Sequence, residues 1–156
     1  MDNLNKWLSV LANFGVLVGI VFLAFEIQQN TTATQLETAS NFQDGFAELE
    51  LMIASDAEFA ALLTKGRNGD DISESEFVRL QAFYSAVLRG WQTNIAQFES
   101  GGLNDEIWQG TKSLMRQRLR EDKGLVEHVQ VNRDQFSGAL LRMTDAMLAD
   151  ISVTSN

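Results

Sequence analysis

From Trp7 to Phe25 the chain runs for 19 residues without a charged side chain, and only Ser9 and Asn13 in that run are polar. A helix of this length, at about 1.5 Å per residue, reaches roughly 28 Å, close to the roughly 30 Å hydrocarbon thickness of a bilayer. A buried helix of a soluble bundle normally keeps one polar stripe, whereas Val16, Leu17, Val18, Ile20, Val21, Phe22 and Leu23 cover every face. A secretory signal is the other rival, with Lys6 as a short basic leader. Its exit, "FLAFEIQQN", has Phe25 and Glu26 where a cleavage site needs small residues. The segment therefore predicts an uncleaved transmembrane helix, with residues 1–27 as a membrane anchor and the span at about 7–25.

Within the span, Trp7 stands where an indole favours the membrane interface. Gly15 and Gly19 form a GxxxG pair, with Ala12 one turn earlier, and such a smooth groove admits a second helix at close range. Asn13 is the candidate for a hydrogen bond across that contact. Lys6 precedes the span and the next basic residue is Lys65, which favours a cytoplasmic N-terminus and an exported C-terminal domain.

The absence of Pro and the abundance of Leu, Ala, Glu, Gln and Phe predict an all-α chain. Residues 28–54 keep a helical pattern, with Leu36, Ala39, Phe42, Phe46, Leu49 and Ile53 at spacings of three and four, so an amphipathic stalk helix is expected to continue from the anchor. Thr31, Thr32 and Gly45 are the places where it would kink or break. A helical bundle over residues 55–151 is expected to pack on the stalk, followed by a frayed tail, 152–156. "SDAE" (Ser55–Glu58) reads as a capping box for a short helix ending at Leu63, and "SESE" (Ser73–Glu76) as a second box opening the longest soluble helix. That helix carries Phe77, Leu80, Tyr84, Val87, Trp91, Asn94 and Phe98 on one stripe and stops at Gly101 and Gly102. Asn104 caps the next, which Gly124 is expected to break. The last begins at Leu125 and hesitates near Asn132 and Arg133.

Chemistry is sparse. The formal charge of -9 disfavours nucleic acid, and the lack of Cys removes thiol chemistry. Phosphate-binding glycine loops, HExxH and nucleophile-elbow patterns are absent, and one histidine, His128, makes no multi-histidine metal site. The sequence therefore predicts a non-enzyme without cofactor or metal. Asn68, Asp70 and Asp71 read as a helix-capping turn, since they lack EF-hand spacing. Trp91, Asn94 and Trp108 are candidates for a polar or ligand contact. The basic cluster Lys112, Arg116, Arg118, Arg120 and Lys123 offers Arg116, Arg120 and Lys123 for partner contact.

"LANFG" (Leu11–Gly15), "FLAFEIQQNTT" (Phe22–Thr32) and "GGLNDEIW" (Gly101–Trp108) resemble a loose group of uncharacterised bacterial single-pass membrane proteins, which join a span to a helical domain through a "YLA.QIRQNT"-like junction. The resemblance implies a location in the bacterial cytoplasmic membrane and no particular activity. Members of the group tend to carry arginines directly after the span, a cue for a cytoplasmic domain. Gln28 and Thr32 to Gln35 carry none here, so this cue conflicts with the one from Lys6. Residues and resemblance together predict a structural or accessory subunit that contacts lipid and either its own copies or other integral membrane proteins; the alternative is a membrane-anchored sensor or ligand-binding module.

Overall fold

The computed structural model describes residues 2–154. Met1, the tail residues Ser155 and Asn156, and the side chains of residues 2–5, 9, 10, 39, 42 and 43 lie outside the described residues, so Ser9 of the span and Ala39 and Phe42 of the stalk stripe are among them. The described residues are mostly helical, with no strand: α1 (Asp2–Ser55), α2 (Ala57–Asn68), α3 (Glu74–Glu99), α4 (Asp105–Glu121), α5 (Lys123–Val131), a 3-10 turn (Arg133–Gln135) and α6 (Gly138–Thr154). The chain divides into two units, Met1–Thr38 and Ala39–Asn156, and the division falls inside the expected stalk.

The first unit is helix alone. No break occurs at Thr31 and Thr32: α1 runs through them, and the hydroxyls of Thr31, Thr32 and Thr34 turn back onto the carbonyls of Ile27, Gln28 and Asn30 at 2.9, 3.0 and 2.9 Å. These bonds satisfy the hydroxyls without interrupting the backbone ladder. Every residue from Leu11 to Thr34 is exposed, and the helix from Lys6 to Thr38 is long and apolar enough to cross a membrane.

In the second unit α3 is central, touching α2, α4, α5 and α6, while α5 also meets α2 and α4, and α4 meets α6. The α3 stripe supplies the core from Leu80 onward: Leu80, Tyr84, Leu88, Trp91, Asn94 and Ile95 are buried and Val87 and Phe98 half-buried at the edge, whereas Phe77, expected to begin the stripe, is exposed in the first turn. Leu88, Met115 and Leu140 are fully inaccessible, so truncation of any of them to Ala leaves a void. Of the expected stalk stripe, Ile53 packs against this core, Phe46 and Leu49 are half-buried, and Leu36 is exposed.

Local caps set the helix boundaries. At α3 the Ser73 box forms in full, with Glu76 Oε2 accepting the Ser73 amide at 2.7 Å. The first box shifts by one residue: Ser55 ends α1, and Asp56 caps α2 by accepting the Phe59 amide at 2.9 Å. Helix α2 also runs past Leu63 to Asn68, and closes on Gly69 at φ 74°. The break expected at Gly124 lies at Asp122 instead. Extended there (φ -119°, ψ 95°), Asp122 ends α4 and caps α5, while Gly124 sits inside α5. The 3-10 turn occupies the predicted hesitation, and α6 continues to Thr154, beyond the expected start of the frayed tail.

Candidate functional site

Three places draw together the residues with chemical potential. The first is where α2, α3 and α5 meet. Tyr84 donates its hydroxyl to Asp122 Oδ1 at 2.9 Å, and the same oxygen accepts the Leu125 amide at 3.0 Å. Arg67 Nε stands 4.0 Å from Asp122 Oδ2. Both Tyr84 and Asp122 are buried. Burial first, then the neighbouring Asp122 charge, raises the Tyr84 phenol well above its ordinary range, so it remains a donor. The phenol needs two glycines around it. A Cβ on Gly66 would lie 2.5 Å from the hydroxyl, and one on Gly124 would lie 2.7 Å from it and 2.8 Å from the Gly66 carbonyl.

Beside this joint, Ser85 Oγ, His128 and Asn132 form a row of hydroxyl, imidazole and amide. His128 Nε2 is 3.0 Å from Ser85 Oγ, and the Asn132 amide nitrogen is 3.4 Å from Nδ1 and donates to the His128 carbonyl at 2.9 Å. The NH2 group facing Nδ1 suits the tautomer in which Nδ1 accepts and Nε2–H points to Ser85 Oγ; either atom of the 3.0 Å Ser85–His128 contact can be the donor. Ser85 also lies mid-helix, where backbone amides are engaged in the α3 ladder and supply no oxyanion donors. The arrangement fixes α5 against α3, and burial lowers the His128 pKa, keeping the ring neutral.

The second place is the expected ligand region. Trp91, Asn94 and Trp108 are all buried, and the Trp108 ring is stacked by Phe98 at 4.6 Å between centroids and 14° between planes. Among the described residues, no fully buried side-chain nitrogen or oxygen lacks a hydrogen-bond partner. The basic cluster engages its own chain at the surface: Arg116 pairs with Asp150 at 3.2 Å, Lys123 donates to the Asn68 carbonyl at 3.0 Å, and Lys112 lies over the Trp108 ring. Arg120 is exposed. No group of three or more His, Asp or Glu side chains gathers into a metal site among the described residues.

The third place is α1. Asn13, Gly15 and Gly19 are exposed, and a Cβ on either glycine would meet nothing within 4 Å. A shallow concavity further along is lined by Phe25, Gln28, Gln29, Thr32, Ala33 and Leu36.

No protein family, curated protein or solved structure matches the chain. Sequence reasoning named Tyr84 as an aromatic and Gly124 as a helix breaker. It missed Asp122, Gly66 and Arg67, whose roles appear only when α2, α3 and α5 are brought together. The local signal for Asp122 was an Asp three residues before Leu125, the spacing of an N-cap.

Proposed function

We propose that this chain is a single-pass integral membrane protein whose α1 crosses the bilayer at about residues 7–25 and packs there against another helix, making it a structural or accessory subunit of a membrane assembly. One observation carries the reading. Trp7, Phe14, Leu17, Ile20, Phe22 and Phe25 are each more than half exposed, as are the other large apolar side chains of the span among the described residues. Removing each such side chain from water is worth about 1.5–3 kcal/mol, so water is a costly surrounding for this segment and lipid a favourable one. A core helix of a soluble bundle would be largely buried, and none of the most apolar window of this helix is.

The resemblance to bacterial single-pass proteins agrees with a place in the cytoplasmic membrane, and Lys6 favours a cytoplasmic N-terminus. Gly15 and Gly19 form the packing face by admitting close backbone approach, whereas Asn13, about 160° round the helix from Gly15, lies off that face and would meet a different neighbour. Replacing Gly15 and Gly19 together with Leu tests the face in a cell-based helix-association assay. Association should fall severalfold, and unchanged association removes the groove from the account.

A further inference from the structure

Both acidic side chains that follow the span on the first unit lie on its glycine face. Residues eleven apart on an α-helix are three turns apart and only about 20° off the same line. Gly15, Glu26 and Glu37 stand at that interval, as do Gly19 and Asn30, and Ala33 falls seven residues after Glu26. All six are exposed. Lys6, nine residues before Gly15, is half a turn out of phase and lies on the opposite side. The helix therefore presents a smooth apolar groove that continues, on the same line, into two carboxylates with no cation beside them on the sequence: from Glu26 to Glu58 no basic residue occurs.

This alignment discriminates between partners. Copies of one single-pass chain share one orientation, so their spans pair in parallel, which sets Glu26 beside Glu26 and Glu37 beside Glu37. Like charges held close oppose that pairing, most strongly at Glu26, which stands at the lipid boundary where screening is weaker than in bulk water. Resting on the proposed membrane reading, we propose that the groove docks a membrane-spanning helix of a different protein, one whose own smooth span is followed by Lys or Arg in register with Glu26 and Glu37. The span supplies close packing, and the carboxylates select the partner.

The test uses the labelled full-length chain in phosphatidylcholine vesicles and a synthetic probe helix with a leucine-rich Gly-x-x-x-Gly span, followed by two lysines eleven residues apart. The same probe with glutamines is the reference, and energy transfer reads association. The lysine probe should bind about tenfold more tightly than the glutamine probe, with the preference shrinking as salt is raised. E26Q/E37Q should abolish the preference, and G15L/G19L should weaken both probes. Equal binding of the two probes, a lysine preference that survives E26Q/E37Q, or self-association stronger than lysine-probe binding overturns the proposal. Alkaline extraction of the same vesicles separates the two levels. Release of the chain overturns the membrane reading and the partner with it, whereas a retained chain without lysine preference overturns the partner alone.

Discussion

The Tyr84 hydroxyl donates to Asp122 Oδ1 at 2.9 Å across 38 positions of sequence, joining the middle of α3 to the residue that ends α4 and starts α5. Three helices depend on this contact. Because Asp122 Oδ1 also caps α5 through the Leu125 amide, loss of the phenol weakens a cap as well as a side-chain bond.

Tyr84→Phe should therefore cost about 1.5–3 kcal/mol, the range for a hydrogen bond to a charged group, measured by denaturant unfolding of the full chain in mild detergent. The hydroxyl is also what a Cβ at position 66 would strike. Gly66→Ala should consequently cost less in the Tyr84→Phe background than alone, a non-additivity that a double-mutant cycle reads directly. Strict additivity would show that the two sites do not share this space.

Glycines should separate into two classes. At Gly124 an added Cβ meets the Tyr84 hydroxyl at 2.7 Å and the Gly66 backbone carbonyl at 2.8 Å. Gly124→Ala should destabilise by about 1–3 kcal/mol. Gly90 and Gly110 are both helical, and a Cβ on either would meet nothing within 4 Å. Ala at these two positions should stabilise by about 0.5–1 kcal/mol. Thermal unfolding of the three variants side by side is the check.

His128 sets one arm of the pH dependence. Burial lowers its folded pKa below 6.5, so just below pH 6.5 the unfolded chain binds a proton that the folded chain refuses. Stability is present above pH 6.5 and is lost as pH falls from 6.5 to the folded pKa. In His128→Gln this slope should vanish, and a titration of unfolding midpoint against pH reads it.

Glu76 sets the other arm. Its hydrogen bond from Lys65 Nζ at 2.8 Å, then the Ser73 amide, lowers its pKa from 4.5 to about 2. A depressed carboxylate contributes stability that is present above pH 4.5 and lost as pH falls through about 2. Glu76→Gln should flatten stability in that window and leave the His128 region unchanged, as the same pH series would show.

What the sequence made legible was whatever neighbours in sequence determine. The Ser73 box, the Asn104 cap and the α3 stripe from Leu80 onward all follow from residues within one or a few turns, and each stands where its spacing places it. Misplaced boundaries have a different origin. Asp56 displaced Ser55 as the α2 cap because α1 continues through Ser55, and α2 runs on through Gly66 to close at Gly69, Gly66 leaving the space that the Tyr84 hydroxyl occupies. The Tyr84–Asp122 joint could not be read in advance, since neither residue has a polar partner of that kind nearby in sequence. On α1 the apolar run was legible from its length, and the alignment of Gly15 with Glu26 and Glu37 follows from a periodicity of eleven that becomes meaningful once the helix is seen to continue unbroken past Thr32.

On the proposed reading, α1 remains in the chain and crosses a bilayer. Alkaline carbonate extraction of membranes from cells producing the full-length protein, with the mass of the recovered chain determined, tests it most directly. The account predicts full-length chain in the membrane pellet. Chain released to the supernatant, or shortened by its N-terminal segment, would contradict it.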